Sequence, residues 1–234
     1  MIDLFGKAIL DFQTNNSPED IITETSISEA DEMSIAYLFR TYNEMPKIEQ
    51  TALQLCKGNV LDVGCGAGSH SLYLQNHLHL DVTAIDISAQ AIKACELRGI
   101  KNIETQDVLT IENQKFDTIL LLMNGTGIFG TLKDTPKYLQ KLKSLLNPNG
   151  QILIDSSDII YMFDEDEDGS IFVPADGYYG ELTFTITYKN QTEKPFPWLY
   201  LDYNTLQNAA LANGLQCELI TEGEHYDYLA KLFV

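Results

Sequence analysis

The chain has 234 residues, 44% hydrophobic and 21% charged, the proportions of one ordinary soluble globular domain. No apolar run approaches the roughly 20 residues that span a bilayer. Fifteen Lys and Arg against 34 Asp and Glu leave a formal net charge of −19. That balance argues against DNA, RNA and anionic membrane surfaces as partners, because phosphate neutralisation needs clustered cations; the expected partner is a small-molecule substrate.

Along the chain, short apolar runs alternate with helical periods, the pattern of βαβ units on a mostly parallel sheet. The residues before Val60 carry helical periods at Ile35, Leu38, Phe39 and Tyr42 and a loop at Asn15-Asn16-Ser17-Pro18, and are read as a helical cap. Val60 to Val63 is a strand that runs directly into a glycine loop and a helix. A second strand, near Val82 to Ile85, leads into a helix with Ser88 as N-cap that stops before Gly99. Ile103 to Val108 and Phe116 to Met123 are the third and fourth strands. Thr135 as N-cap and Pro136 at the first position open a helix whose apolar face is Tyr138, Leu139, Leu142, Leu145 and Leu146. Asn147-Pro148-Asn149-Gly150 is a turn, and Gln151 to Asp155 the fifth strand. Leu182 to Tyr188 alternates as a strand does, with Trp198 to Leu201 as its pairing partner. A helix from about Asn204 to Asn213-Gly214 precedes two closing strands, Leu215 to Ile220 and Tyr226 to Phe233, spaced as a hairpin at the sheet edge.

Cys56, Cys65, Cys95 and Cys217 are scattered, with no Cys-x-x-Cys and no histidine at ligand spacing, so neither a zinc site nor a disulfide framework is expected. The opening residues, Met1-Ile2-Asp3-Leu4-Phe5, lack a basic stretch, and a cytoplasmic location is expected. The run Asp164-Glu165-Asp166-Glu167-Asp168-Gly169 does not have the spacing of a calcium loop and is read as a solvated acidic loop; no metal site is expected.

The most specific stretch is Asp62-Val63-Gly64-Cys65-Gly66-Ala67-Gly68-Ser69. A strand breaking into G-x-G-x-G lets backbone N–H groups approach a ligand, because glycine has no Cβ in the way. In the dinucleotide fingerprint, G-x-G-x-x-G, the third glycine falls where Ser69 stands here. Asp62 would sit awkwardly beside a pyrophosphate and comfortably beside a cationic amino or sulfonium group. The spacing therefore favours a nucleoside without phosphates. Asp86, 18 residues after Gly68, ends the second strand, where a carboxylate can accept from both ribose hydroxyls. Asp107 and Val108 end the third, where they can meet an adenine amino group and ring.

These motifs, with Phe116-Asp117-Thr118-Ile119-Leu120-Leu121 and Leu146 to Leu153, resemble those of class I S-adenosylmethionine-dependent methyltransferases; the likeness is strong over Val60 to Asp155. It implies an α/β, Rossmann-like, doubly wound, mostly parallel seven-stranded sheet with an antiparallel edge hairpin and an N-terminal helical cap. The expected division of a single domain, 1–234, is a cap over 1–58, a cofactor-binding core over 59–155, a substrate-side insertion and hairpin over 156–203, and a closing helix and strands over 204–234. The implied cofactor is S-adenosyl-L-methionine, giving S-adenosyl-L-homocysteine. Its implied contacts are Asp62, Gly64, Cys65, Gly66 and Gly68 for the methionine part, Asp86 and Ile87 for the ribose side, Asp107 and Val108 for adenine, and Met123.

A sulfonium methyl is already activated, so such an enzyme mainly aligns a nucleophile in line with the S–CH₃ bond and excludes water; no catalytic residue is assigned. Met123-Asn124-Gly125 after the fourth strand is not the Asn/Asp-Pro-Pro-Tyr/Phe motif of base methylation, and Asp155-Ser156 departs from the Asp-Asn pair of catechol-type enzymes. Tyr37, Tyr42, His70, Asn124 and Trp198 are the candidate substrate contacts; the plainer readings are core packing for the aromatics, strand capping for Asn124 and a surface histidine at a helix N-terminus for His70. The expected function is methyl transfer to a small molecule by in-line displacement. A protein-directed methyltransferase and a non-catalytic cofactor-binding module are the alternatives; a nicotinamide oxidoreductase is disfavoured by the glycine spacing, and aminopropyl transfer by the lack of a Gly-Gly-Gly-Asp run. Monomer and homodimer are left open.

Overall fold

The computed structural model describes residues 2–163, 166, 171–173 and 177–234. After helix α1 (Leu4–Thr14) comes a hairpin of β1 (Ile21–Thr25) and β2 (Ser28–Met33), then short 3-10 turns and α2 (Lys47–Leu55). The alternating core follows: β3 (Asn59–Val63), α3 (Ser69–Asn76), β4 (Asp81–Asp86), α4 (Ala89–Arg98), β5 (Asn102–Thr105), β6 (Phe116–Leu121), α5 (Thr135–Ser144) and β7 (Leu146–Ser157). Then come β8 (Glu181–Tyr188), β9 (Gln191–Thr192), β10 (Phe196–Leu199), α6 (Tyr203–Ala212), β11 (Gln216–Glu222) and β12 (Asp227–Phe233).

The main sheet has seven strands in the order β11-β12-β7-β6-β3-β4-β5. Strands β3 to β7 are parallel, and the β11–β12 hairpin closes one edge antiparallel. Period-two alternation decides which layer each side chain joins. Leu61, Ile119, Leu121, Ile152 and Ile154 face α5 and α6. Val60, Leu120, Leu153 and Leu229 face the opposite layer, with Ala52, Leu53 and Leu74 of α2 and α3. Because the chain winds outward from β3 through β4 to β5 and then returns to β6, the carboxyl ends of β3 and β6 flank the switch point where open α/β sheets bind ligands.

A second, antiparallel sheet, β10-β8-β1-β2 with β9 against β8, stands apart from the first. Helix α1 lies between it and α4: Leu4, Ala8 and Ile9 share a buried cluster with Ala91 and Ala94 on one side and Ile21, Ile186 and Tyr188 on the other.

Sequence and structure differ in several places. The N-terminal cap is only partly helical: it contains the β1–β2 hairpin, which no sequence pattern announces, since β2 (Ser-Glu-Ala-Asp-Glu-Met) has almost no apolar alternation and is held by register with β1. The periods at Ile35 to Tyr42 form 3-10 turns. The third strand stops at Thr105, and Val108–Thr110 is a 3-10 turn capped by Asp107. Asn147 to Gly150 do not leave the sheet; they bulge within β7, with pairing that passes from Phe116↔Leu146 to Thr118↔Gln151 and Asn149 at φ +63°. Helix α5 has Asp134, one residue before Thr135, at its N-cap position. The acidic run at 164–169 lies, Asp166 aside, outside the described residues.

Candidate active site

The glycine loop turns at the end of β3. Gly64 (φ +70°) and Gly66 (φ +53°) take left-handed conformations, and a Cβ built on either would meet open space. These two glycines therefore present bare backbone to whatever lies above the loop. Gly68 (φ +80°) does something else: a Cβ there would fall 2.3 Å from Ile100 Cδ1 and 2.9 Å from Cys95 Sγ, so this glycine permits close packing of α3's start on α4. The loop is tied to β4 by the N–H groups of Gly64 and Cys65, both donating to Ile85 O at 2.9 and 3.0 Å.

Asp86 completes the cradle. Its Oδ2 accepts from Gly66 N–H at 2.9 Å and its Oδ1 from Ser88 N–H at 2.8 Å, which fixes the plane of the carboxylate beside the loop. Burial pushes its pKa up, against the two N–H groups that pull it down. Ile87 follows with its side chain 78% exposed, an apolar surface next to an oriented acceptor. Asp107 is exposed and caps Leu109 N–H at 2.9 Å, while Val108 is buried. Asp62 is turned inward: it is 2% exposed, accepts from Ser71 Oγ at 2.6 Å, and has its pKa raised by burial. It can influence a ligand through the loop and through its charge. Bare glycine backbone, an oriented carboxylate and an exposed aliphatic side chain in sequence along one edge fit an adenosyl group.

Beyond β6 the chain enters two successive left-handed residues, Met123 (φ +67°) and Asn124 (φ +61°). Asp155, at the carboxyl end of β7, holds this turn by accepting from Met123 N–H at 3.0 Å and Gly125 N–H at 2.9 Å. Burial raises the Asp155 pKa to about 7; Glu49 adds to the rise, and the two N–H groups and His70 oppose it. Asn124 spends its side chain on structure, donating to Leu199 O at 3.2 Å and accepting from Ser156 Oγ at 3.0 Å. Trp198 packs on Gly127 so tightly that a Cβ there would lie 2.0 Å from the indole. Between the second sheet and the end of β7 lies a cavity of about 370 Å³, lined among others by Thr23, Glu29, Ser157, Tyr161, Phe184 and Tyr200.

The remaining candidates separate. His70 donates or accepts at Glu49 Oε2, 2.7 Å away, within a buried group completed by Arg40. Burial raises the Glu49 pKa, but His70 and Arg40 outweigh it and the net shift is downward. Tyr37 is 43% exposed, carries the Arg40 guanidinium 4.0 Å over its ring, and feels the charge of Asp155. Tyr42 instead stacks on Tyr73 at 4.2 Å and receives Gln54 Nε2, on the outer side of α3. Sequence reasoning missed Arg40 and Glu49; it marks Tyr161 and Tyr200 among the aromatics that could build a pocket, and both line the cavity. Asp155 carries a signal as the acid ending the fifth strand, and its role is to hold the turn after β6.

A family model described as a methyltransferase domain matches residues 56–209, the segment that contains this whole edge. The chain belongs to that family, the S-adenosylmethionine-dependent methyltransferases. A methyltransferase from Bacteroides fragilis, crystallised with S-adenosyl-L-homocysteine, is 44% identical and superposes with a TM-score of 0.91 over 99% of this chain and 94% of its own. The cofactor expected from the sequence is thus the one this family uses. Among curated proteins, the ribosomal RNA small subunit methyltransferase C of a Shewanella strain is 31% identical over 132 residues, 54% of this chain and 36% of its own length. The tRNA U34 carboxymethyltransferase of Campylobacter curvus is 30% identical over 113 residues, 44% of this chain and 36% of its length. The chain thus spans about a third of the length of these curated relatives.

These relatives correct one expectation. The net charge of −19 argues against nucleic acid, yet two relatives of the methyltransferase are named for RNA. Net charge belongs to the whole surface, whereas an acceptor is met locally, so the sum over the chain does not exclude RNA. Among the described residues, no helix is long and apolar enough to cross a membrane.

Proposed function

We propose that this methyltransferase moves a methyl group from S-adenosyl-L-methionine to a small-molecule acceptor by in-line displacement. The single observation behind the acceptor class is the cavity of about 370 Å³ between the second sheet and the carboxyl end of β7, lined by hydroxyls, aromatic rings and the carboxylates of Glu29 and Asp31. Such a chamber is of the size and mixed lining of a small-ligand site. The four free thiols suit a reducing, cytoplasmic setting.

In this reading Gly64, Cys65 and Gly66 offer backbone to the methionine end, and Gly68 keeps the loop against α4. Asp86 accepts from the ribose hydroxyls with lone pairs that Gly66 and Ser88 leave free. Ile87 and Val108 flank the adenine, and Asp107 accepts from its amino group. When bound, the cofactor supplies a methyl group activated by its sulfonium. The protein's share is alignment and exclusion of water: the Met123–Asn124 turn, pinned by Asp155, fixes the wall beside β6, and the second sheet covers the acceptor side. Tyr161 and Tyr200 are the candidates for the wall of the cavity; Tyr37 lies under the Arg40 guanidinium, Asn124 and Trp198 act by holding the turn and the sheet together, and Tyr42 by packing. RNA is the second reading, favoured by the names of the curated relatives.

The test has two stages. Thermal unfolding with S-adenosyl-L-methionine or S-adenosyl-L-homocysteine at about 100 times Kd should rise by roughly 5–11 °C, and NAD should leave it unchanged. Radiolabelled cofactor is then offered separately to a metabolite extract, to total RNA and to cell protein. Label in the metabolite fraction supports the proposal. Label confined to RNA or to protein overturns the small-molecule acceptor, and tight cofactor binding without transfer to any fraction overturns the enzymatic reading.

A further inference from the structure

The cavity beside the carboxyl end of β7 is walled by chain that carries no cation. One wall comes from β1 and β2, and the sequence has no Lys or Arg between Lys7 and Arg40. Another comes from the turn after β7 and from β8, and there is no Lys or Arg between Lys143 and Lys189. Among the described residues, no Lys, Arg or His lines the cavity. Two acids do: Glu29 and Asp31 stand two apart on β2, which puts them on one face of the strand.

Neighbouring like charges on a sheet face repel, and an opposite charge on the next strand offsets them. Here the cross-strand partner of Asp31 is Thr23, and among the described residues neither acid forms an ion pair. The rest of the recognition surface is aromatic, with the rings of Tyr161, Phe184 and Tyr200. Tyr161 is fixed by stacking on Tyr226, 4.9 Å between centroids, and is still 51% exposed. Tyr200 is half-buried, and its hydroxyl has no hydrogen-bond partner among the described residues. Burial pushes the Tyr200 pKa up to about 12, with the charges of Tyr161 and Asp155 adding to the rise, so the hydroxyl remains a donor at neutral pH. Asp155 pins the turn after β6, so its influence on Tyr200 ties the cavity to the end of the main sheet. Ring faces attract cations, and two unpaired carboxylates add to that attraction. An anionic group would meet uncompensated negative charge, and a neutral one would leave it unmatched.

We infer that the acceptor carries a positively charged group, a protonated or quaternary amine, which Glu29 and Asp31 draw into the cavity and the rings of Tyr161, Phe184 and Tyr200 surround. The charged group is the handle of recognition; the atom methylated is the nucleophile that the bound molecule holds toward the sulfonium. The inference rests on the small-molecule reading above and adds to it the charge class of the acceptor.

For the test, a metabolite extract is divided before the assay into molecules retained by a cation exchanger at neutral pH, molecules retained by an anion exchanger, and molecules retained by neither. Each fraction is incubated with the full chain and radiolabelled S-adenosyl-L-methionine. Label is expected in the cation-exchange fraction. Label confined to the neutral or anionic fraction overturns the inference and leaves the small-molecule reading standing; label in no metabolite fraction brings down that reading, and the inference with it. The cation-exchange fraction, at limiting concentration, is then offered to the double variant Glu29→Gln, Asp31→Asn. Transfer should fall about three- to thirty-fold, while affinity for S-adenosyl-L-homocysteine stays within about two-fold of wild type. Tyr161→Leu should lower transfer about two- to ten-fold, and Tyr161→Phe, which keeps the ring, should recover it. Unchanged transfer in the double variant, or a fall matched by lost affinity for S-adenosyl-L-homocysteine, overturns the assignment of Glu29 and Asp31.

Discussion

The two sheets of this methyltransferase are built on different principles. In the main sheet, Val60, Leu61, Ile119, Leu120, Leu153 and Ile154 are wholly buried on one face or the other, and every parallel pair but β3–β6 joins strands consecutive in the chain. In the second sheet, β1 has one face buried and β2 is mostly exposed, and β1 pairs with β8 across more than half of the sequence. The glycine-loop edge stands on the first kind of structure and the cavity of about 370 Å³ on the seam with the second. A sheet buried on both faces resists local opening, whereas a half-exposed one opens at lower cost. The glycine-loop side is thus held more rigidly than the seam beside the cavity.

Glycine substitutions on the two sides probe that contrast most strongly. Gly68→Val would add a β-branched side chain at φ +80° into Ile100 and Cys95, with an expected loss of at least about 4 kcal/mol in chemical denaturation and no cofactor binding. Gly127→Ala would push the Trp198 indole away, and the expected loss is smaller, about 1–3 kcal/mol, because the second sheet can shift. Equal losses would show that the seam is as rigid as the core.

Asp155 tests the end of the main sheet. Burial raises its pKa from 3.8 to about 7 in the folded protein, so on raising the pH the unfolded chain gives up this proton first. The stability it contributes is fully present below about pH 4 and lost progressively up to about pH 7, by about 1–4 kcal/mol. Denaturation midpoints measured across that window should show the slope, and Asp155→Asn should flatten it. Asp86→Ala is expected to weaken binding of S-adenosyl-L-homocysteine by about 1–3 kcal/mol while leaving the fold intact; wild-type affinity would remove Asp86 from the ribose. The smallest effect is expected for Tyr42→Phe. The ring remains stacked on Tyr73, and only the hydroxyl that receives Gln54 is lost, so stability and turnover should move by less than about 0.5 kcal/mol.

What can be read from the sequence follows the same division. The order from Val60 to Asp155 is legible because each strand is a buried apolar run and each helix announces its ends, as Ser88 does by capping Ala91 N–H and Gly99 by closing α4 at φ +88°. Asp86 and the glycines are legible because their roles are local. Asp107, expected at a strand end, instead caps a 3-10 turn, since a four-residue edge strand has little pattern to mark its limit. The β1–β2 hairpin is illegible because β2 is specified by partners, not by its own alternation. Arg40 and Glu49 are illegible for a related reason: an Arg and a Glu nine positions apart look like solvated charges until the fold buries both against His70.

The pairing of β1 with β8 also sets the order in which the molecule can be made. On the ribosome, residues 21–33 emerge long before residues 181–188, so β1 must wait for β8 while the five parallel strands β3 to β7 are synthesised. During that interval β1 offers an unpaired edge, the kind of template on which nascent chains misassociate. Glu29, Asp31 and Glu32 crowd its hairpin partner with negative charge, and Glu24 adds another on β1 itself. Charge at such an edge disfavours pairing with another chain, so the least regular part of the sequence is also the part whose acids matter most before β8 is made.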